Sequence, residues 1–388
     1  MGVGAPRGAR GTMTGEGAIF AFFVARILNP GNGVEGESLF ARVCGQSSAM
    51  IFFDVTKAGG SGHRSGLMRV SARLAEELGA AATPVRWVEW DRVVKPTDWF
   101  LTGELFSPEE RPGFAEFLAG RRCRTAAIFH DAIPLRFPHI TWPQSVARHP
   151  GYMKMLGQFD RVWADSAASC EDLVGFWRWQ GLEKLPPVEV ITLGADFNGR
   201  PRVRRAAGVV AATPLMLSVG ILEPRKNQVL LLEVAEALWT AGLKFELHLV
   251  GRVNPHFGKP VLERVKALRR KFPALHFHEA AGDAAVAELY AKARVSVFPT
   301  IAEGCGLPVL ESLWNGVPCV CSDLPVLREN SEGGGCVSVA VNDRAAWTQA
   351  LRQVVTDDAR VAGLTAEAAA RGLPTWAEAA AMLRAELK

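Results

Sequence analysis

Two glutamates flank a short glycine-containing turn in the second half of the chain. Seven residues separate Glu303 from Glu311, in the sequence Glu-Gly-Cys-Gly-Leu-Pro-Val-Leu-Glu. Carboxylates accept paired hydrogen bonds from neighbouring sugar hydroxyls, and glycines allow the backbone to approach a ligand closely. Taken alone, each glutamate is better explained as an ordinary loop or surface acid, because acids are common near helix starts. Their joint spacing around the glycines favours a sugar-nucleotide site.

The elements around this turn place the start of a helix beside it. Arg294 to Pro299 reads as a short apolar strand, and Pro308 suits the first position of a helix that we expect to end at Asn315. The first amides of a helix have no intrahelical partner and favour an anion such as phosphate. The sequence therefore predicts a phosphate site, with Glu303 on the loop and Glu311 one turn into the helix.

This segment resembles the hallmark of the retaining nucleotide-sugar glycosyltransferases of family 4, also called glycosyl transferases group 1, which have the GT-B fold. The resemblance implies that Glu311 binds the ribose hydroxyls of the donor. It also implies that Glu303 and the backbone amides after it hold the donor sugar and its diphosphate, namely those of Gly304, Cys305, Gly306 and Leu307. Cys305 replaces an aromatic residue that is usual in the family, which changes the packing of the pocket more than its phosphate contacts.

Two adjacent cations lie at a second junction between a strand and a helix. Leu215 to Val219 reads as an apolar strand ended by Gly220, and Arg225 and Lys226 precede an amphipathic helix. Cations oppose the dipole at a helix start, so they are either solvated loop charges or partners of an anion. The family resemblance implies that both neutralise the donor diphosphate. Ile221 follows Gly220 where many members have arginine, which leaves the division of phosphate contacts between the two cations open.

A third strand ends in a histidine and an aspartate. The run from Ala126 to Asp131 places His130 and Asp131 at the carboxyl end of an apolar strand, where open α/β sheets bind ligands. A lone histidine there is more often structural than catalytic, and Asp131 could simply cap the next turn. The resemblance implies that His130 lies near the reacting sugar and that Asp131 lines the cleft.

A glycine-rich loop follows the first strand, which we expect from Ile51 to Val55. Gly60, Gly62 and Arg64 lie in this loop, ahead of a helical pattern. Their spacing is not that of the dinucleotide-binding glycine fingerprint, which argues against an NAD enzyme. The resemblance implies that the loop lines the cleft beneath the diphosphate and toward the acceptor; a plain turn is the alternative.

Strands and helices alternate along almost the whole chain, which predicts an α/β protein with parallel, doubly wound sheets. The apolar run from Val85 to Trp90 reads as one of the strands. We expect two Rossmann-like domains that face each other across a cleft. The predicted parts are an N-terminal extension at 1–49, an acceptor-side domain at 50–195, an exposed arginine-containing linker at 196–213, a donor-binding domain at 214–375 and a helix at 376–388 that crosses back to the first domain.

Composition restricts the class of partner. The 388 residues include 44 Lys and Arg and 40 Asp and Glu, balanced between the two halves, so we expect no nucleic acid partner. A local basic face for a membrane stays open. Seven cysteines without zinc-like pairing indicate a reducing compartment. We therefore expect a cytoplasmic protein, with peripheral association with the inner face of the membrane as a further option; the oligomeric state is not predicted.

Residues 1–49 differ from the rest of the sequence. The apolar run from Ala18 to Ala25 is too short to span a bilayer, and Arg26 interrupts the pattern of a signal sequence. Met50 directly precedes the first predicted strand. We therefore expect either a disordered extension or a misassigned start, with a signal sequence as the weaker alternative.

Together with the family resemblance, these patterns predict a retaining, metal-independent hexosyltransferase that uses a nucleoside diphosphate sugar as donor and no cofactor. His130, Glu303, Arg225 and Lys226 are its candidate catalytic residues, and no metal ligand is assigned. No Asp-x-Asp occurs in the sequence, which removes the simplest site for a diphosphate-bound metal. The resemblance favours a glycan or lipid-linked acceptor in the assembly of surface polysaccharide or glycolipid.

Two other functions fit parts of the same pattern. A sugar-nucleotide epimerase of similar architecture would also bind a diphosphate, but it needs acid and base groups for elimination. A non-catalytic sugar-nucleotide-binding protein could keep the fold without turnover. The joint presence of Glu303, Glu311, Lys226 and His130 argues against the latter.

Overall fold

The computed structural model describes residues 1, 49–60, 66–89, 93–196, 199–205 and 213–388. The predicted N-terminal extension lies outside the described residues, apart from its two ends. Gly62 and Arg64 of the first glycine loop also lie outside them.

Six parallel strands form the first sheet, and each is short and largely apolar. They are β1 (Ile51–Asp54), β2 (Ala82–Val85), β3 (Trp99–Thr102), β4 (Arg124–Phe129), β5 (Arg161–Ala164) and β6 (Val188–Val190). Their spatial order is β2-β1-β3-β4-β5-β6. Every residue of β1 and β3 is buried, as expected of parallel strands covered by helices on both faces.

Six further parallel strands form the second sheet. They are β7 (Leu215–Val219), β8 (Glu246–Val250), β9 (Leu275–His278), β10 (Val295–Phe298), β11 (Cys319–Ser322) and β12 (Cys336–Val339). Their order is β12-β11-β10-β7-β8-β9. The chain reverses direction across the sheet between β9 and β10, so β7 and β10 are neighbours at the switch point where such sheets bind ligands.

Helices connect these strands and cover both sheets. Those of the first half are α1 (Gly66–Leu78), α2 (Phe114–Gly120), α3 (Ile133–Arg136), α4 (Pro143–Leu156) and α5 (Ala167–Trp179). Those of the second half are α6 (Gln228–Thr240), α7 (Gly258–Lys271), α8 (Asp283–Lys292), α9 (Leu307–Trp314), α10 (Pro325–Ser331), α11 (Arg344–Thr356), α12 (Asp358–Ala370) and α13 (Trp376–Glu386). No helix in the described part of the chain combines the length and apolar character needed to cross a bilayer.

The two-sheet, doubly wound α/β fold predicted from the alternating pattern is confirmed. The last helix, α13, returns to the first sheet: Trp376, Ala380 and Leu383 lie in one apolar core with Phe53 of β1 and Leu74 of α1. Thr375 caps the start of α13: its side chain accepts a hydrogen bond from the amide of Glu378, and the Glu378 carboxylate accepts one from the amide of Thr375.

Some local predictions were wrong. A strand was expected from Val85 to Trp90, but Val85 is the last residue of β2. Trp87–Glu89 forms a 3₁₀ turn instead. Trp87 there donates its indole N–H to the carbonyl of Pro112 and packs edge-on against Phe114, so tertiary packing of the ring overrides its strand propensity. Strand β3 was not predicted.

The described part of the linker is largely exposed but anchored. Arg202 donates to the carbonyls of Ala368 and Arg371 at the end of α12. Arg205 donates to the carbonyls of Tyr290 and Ala293 at the end of α8. Cations interact favourably with the unpaired carbonyls at helix ends. These arginines therefore bind the linker to two helices that cover the second sheet.

Candidate active site

Glu303 lies at the centre of a compact group of charges just after β10. One carboxylate oxygen, Oε1, accepts from Lys226 Nζ at 2.6 Å and from Arg225 Nη1 at 3.0 Å. The same oxygen accepts from the hydroxyl of Thr300 at 2.7 Å. Arg225 also contacts Glu223, with Nη2 2.9 Å from its carboxylate. The structure therefore brings together the residues that the sequence placed after two separate strands, β7 and β10.

The electrostatics of this group depend on its burial. Burial alone would raise the pKa of Glu303, but the charges of Lys226 and Arg225 outweigh it and lower that pKa. Burial, together with the neighbouring Arg225, lowers the pKa of Lys226. Burial would also lower the pKa of Arg225, but Glu303 and Glu223 raise it. Two cations are thus balanced by acids in a site that largely excludes water.

Gly220 lies beside the aliphatic part of Lys226, at the end of β7. A Cβ atom at this position would touch the Lys226 side chain at 3.7 Å, which is ordinary van der Waals contact. The lysine ammonium lies 4.9 Å from the centre of the Phe298 ring, close enough for a cation–π contact. The ring and the end of β7 thus fix the direction in which Lys226 projects.

The turn after Glu303 is held against the first sheet. A Cβ on Gly304 would lie 2.3 Å from the carbonyl oxygen of His130, so only glycine fits there. The Gly304 carbonyl accepts from Ser166 Oγ at 2.7 Å, and Ser169 Oγ donates to the His130 carbonyl at 2.7 Å. The loops after β4, β5 and β10 therefore meet, which brings the carboxyl ends of the two sheets together.

The rest of the turn leads into α9. Gly306 has φ of 75°, in the left-handed region that favours glycine, and α9 begins at Leu307, one residue before the predicted start. Cys305 and Leu307 pack against the apolar core of the first sheet. Asn330 Nδ2 donates to the Cys305 carbonyl at 2.5 Å. The positive end of the α9 dipole is thereby fixed beside Glu303.

Glu311 lies in the first turns of α9, as predicted, but its partner was not anticipated. The carboxylate is buried and forms an ion pair with Arg69 of α1, a residue that belongs to the first sheet's helices. Burial raises the pKa of Glu311, and the charge of Arg69 offsets only part of that rise. A ribose that binds Glu311 must therefore replace Arg69 or share the carboxylate with it.

His130 is buried and uses both ring nitrogens. Nδ1 lies 3.1 Å from the Asp165 carboxylate, and Nε2 lies 2.8 Å from the carbonyl of Gly103. Two acceptors favour the doubly protonated ring. Burial alone would lower the pKa of His130, but Asp165 and Gly103 raise it, while burial raises the pKa of Asp165 to about 6. Neither nitrogen of His130 points to an unoccupied position in this arrangement, so the expected contact with the sugar stays a prediction.

Asp131 caps a turn. Its carboxylate accepts from the amide of Ile133 at 2.9 Å at the start of α3, which is the structural role considered for it from the sequence.

Gly60 ends a short 3₁₀ turn after β1. The amides of Ala58 in that turn and of Lys57 just before it donate to the buried carboxylate of Glu104 at 2.9 and 2.7 Å, so this carboxylate positions the start of the glycine loop.

Several residues of this region were missed by reasoning from the sequence. Asp165 and Ser166 directly follow β5, so their position at a strand end was a readable signal. Thr300 directly follows the strand predicted from Arg294 to Pro299 and carried the same signal, whereas Arg69 carried none. Glu329 of α10 accepts from the amides of Ala167 and Ala168 at the start of α5, which adds a contact between the two halves.

Comparison with known proteins finds a family match in the second half of the chain. The model of the family "Glycosyl transferases group 1" matches residues 213–357. Residues 213–357 are therefore similar to the glycosyl transferases of group 1. The family resemblance drawn from Glu303 and Glu311 is therefore confirmed.

Among curated relatives of the chain, the serotype-specific mannosyltransferase WbdA of Escherichia coli is 30% identical over 215 residues. The match covers 52% of this chain and 26% of WbdA, so the chain spans about a quarter of the length of that relative.

Solved structures share the fold of this chain. Sucrose-phosphate synthase from Thermosynechococcus elongatus has a TM-score of 0.64 at 18% identity, over 87% of this chain and 97% of that one. HepE from Anabaena, solved in complex with UDP-glucose, has a TM-score of 0.64 at 15% identity, over 88% and 98% of the two chains. These likenesses extend across both sheets.

Proposed function

We propose that this protein is a retaining glycosyltransferase that moves a hexose from a nucleoside diphosphate sugar to an acceptor hydroxyl. The observation that carries the proposal is the convergence of Arg225 and Lys226 on Glu303, beside the positive end of α9. Two fixed cations and a helix start suit a diphosphate, because charge-assisted hydrogen bonds to phosphate are stronger than neutral ones.

The proposed mechanism relies on positioning and charge rather than on a protein nucleophile. Arg225 and Lys226 stabilise the negative charge that grows on the leaving diphosphate as the glycosidic bond breaks. Glu303 and its turn hold the sugar while its ring becomes oxocarbenium-like, and Glu311 accepts from the ribose hydroxyls. The leaving phosphate takes the proton of the acceptor hydroxyl, so the acceptor attacks the face that the phosphate leaves. No cofactor takes part, and the two cations fulfil the role of a divalent metal.

The proposed substrate class follows from the relatives. Because WbdA is named as a mannosyltransferase with serotype specificity, mannose is the first sugar to test and a surface polysaccharide is the first acceptor class. In this proposal residues 214–375 bind the donor, and residues 50–195 bind a glycan or lipid-linked acceptor on the cytoplasmic side of the membrane, with which the protein associates peripherally.

The first experiment is a thermal-shift screen with UDP, GDP and dTDP and their sugars. A ligand at about 100 times its dissociation constant stabilises the folded state by roughly 2.7 kcal/mol. The matched variants are Glu311→Gln and, as control, Glu263→Gln at an exposed position, where the carboxylate pairs with Lys266. Loss of the charged acceptor in Glu311→Gln should weaken nucleotide binding about tenfold or more, since such bonds contribute about 1.5–3 kcal/mol.

Product analysis separates the proposal from its rivals. NMR of the product should show the anomeric configuration of the donor retained, and transfer should continue in excess EDTA. Inversion, or a loss of activity on chelation that magnesium or manganese restores, would contradict the retaining or metal-independent part. An isomerised donor without acceptor would identify an epimerase, and tight binding without transfer or hydrolysis would identify a binding protein.

A further inference from the structure

Three histidines and a glutamate lie on one face of β8 and β9, the last two strands at one edge of the second sheet. The parallel register pairs His248 with His276. Side chains two residues apart on a strand share a face, so Glu246 lies on the same side as His248, and His278 on the same side as His276. The register of two strands therefore assembles four potential metal ligands from the short motifs Glu-x-His and His-x-His.

The opposite face of the same strands fixes this orientation. Leu247, Leu249 and Leu275 are almost fully buried in the main apolar core of the second sheet. Because alternate residues point to opposite faces, this core prevents a shift by one residue, which would bury the histidines instead. His248 itself is buried, whereas Glu246, His276 and His278 are half-buried and accessible to an ion from solution.

The distances resemble those of a metal centre. His248 Nε2 lies 3.1 Å from the Glu246 carboxylate, and one ligand atom from each of Glu246, His248 and His276 lies within 4.8 Å of the others. Two ligands bound to zinc at about 2.0–2.1 Å with tetrahedral angles are about 3.3 Å apart. The ligand atoms of His248 and Glu246 already have about this separation. The ligand atom of His276 has to move by less than about 1.5 Å to reach the same separation from them.

We propose that Glu246, His248 and His276 bind one divalent transition-metal ion of the zinc type. Imidazole and carboxylate ligands suit zinc, and three protein ligands leave a fourth position for water. His278 orients the site: its Nε2 lies 3.0 Å from His248 Nδ1 and accepts the proton there, which leaves His248 Nε2 to face the ion.

The ion would join the edge strand β9 to β8, whereas the residues of the candidate active site follow β7 and β10. This metal site is independent of the proposed transfer reaction. In the described part of the chain, none of the three metal ligands forms an ion pair with Glu303, Arg225 or Lys226.

The test uses the full chain without a polyhistidine tag, first stripped with a chelator and dialysed. Calorimetric titration with zinc alone, with elemental analysis of the dialysed complex, should give one ion per chain. His276→Gln should bind zinc about tenfold or more weakly, and His278→Phe should lose roughly tenfold through the orienting contact. The matched control is His139→Gln, which removes an exposed histidine outside the cluster and should bind as the unmodified chain does.

Cobalt provides a second readout, because tetrahedral cobalt gives a visible absorption that His276→Gln should abolish and His139→Gln should keep. If His276→Gln does not fold, Glu246→Gln at a half-buried position replaces it. The proposal would be overturned if the unmodified chain bound less than one zinc ion, or if His139→Gln lost as much zinc affinity as His276→Gln. Nucleotide binding should be the same in all these variants, so failure here leaves the proposed transfer activity untouched.

Discussion

Glu303→Gln tests the charge balance of the candidate site most directly. The substitution keeps the shape of the side chain but removes the charge that Lys226 and Arg225 approach at 2.6 and 3.0 Å. Breaking a buried ion pair by removing one partner costs about 3–5 kcal/mol. We expect the lower end, about 3 kcal/mol, because Arg225 is 21% exposed and keeps its contact with Glu223.

This cost has a measurable consequence for thermal stability. With an unfolding entropy of roughly 2.1 cal/mol/K per residue, about 3 kcal/mol lowers the melting temperature by about 4 °C if some 340 residues unfold together, and by about 10 °C if about 150 do. Glu263→Gln is the matched control, since its exposed pair contributes only about 0–1 kcal/mol. The pKa of Glu303 is lowered in the folded state, so the stabilisation is complete above the ordinary value of about 4.3 and is lost as the pH falls through the lowered value.

Unlike the thermal stability, the affinity for a nucleoside diphosphate should not fall in Glu303→Gln. In Glu303→Gln the two cations lack their acidic partner, so a free nucleoside diphosphate should bind at least as tightly as to the unmodified protein and should restore much of the lost stability. Transfer of the sugar should fall, because the carboxylate proposed to hold it is gone. Calorimetry with UDP and GDP, beside single-turnover transfer, measures both. A variant as stable as the control, with weaker diphosphate binding, would refute the balance of charges argued here.

Three further perturbations test other contacts of the site. Lys226→Ala should weaken diphosphate binding and lower turnover, each by about tenfold or more, because a charged hydrogen bond contributes about 1.5–3 kcal/mol; unchanged values in a folded variant would remove its proposed role. Arg69→Met should raise nucleotide affinity by about three- to tenfold while lowering the melting temperature, since it frees Glu311 but leaves that acid buried without its cation; a lower affinity would show that Arg69 itself binds the donor. His130→Gln should lose a stabilising contribution that is complete below about pH 6.5 and disappears as the pH rises through the raised pKa, so its stability gap to the unmodified protein should narrow in alkaline buffer. If His130 also faces the sugar, kcat falls by more than diphosphate affinity, whereas a purely structural histidine changes stability alone.

The candidate site could be predicted where its chemistry is local in sequence. A helix start depends on residues within about one turn, so Pro308 after a glycine turn located α9 to within one residue. Strand β7 was predicted from Leu215 to Val219, the range that the structure has, because a short apolar run ended by glycine is a local signal. Arg225, Lys226 and Glu303 could each be assigned to a strand end in the same way.

The contacts between these elements were decided by tertiary structure alone. Arg69 and Glu311 are 242 positions apart, and nothing near either residue in the sequence indicates the other. The turn at Gly304 had to be glycine because the His130 carbonyl lies against it, a constraint that arises only when the two sheets meet. Likewise, the register of β8 and β9 brings His248 beside His276, although their motifs are separated by a helix.

The sequence by itself thus determined the alternation of strands and helices, the two glutamates around their turn and the pair of cations, since hydrogen bonding and apolar periodicity within a few residues establish each of them. Tertiary structure decided which of these groups touch. Strand order and register bring together residues that lie far apart in the chain, and burial then determines which charges must be paired, because an unpaired charge is costly only after water has been excluded from it.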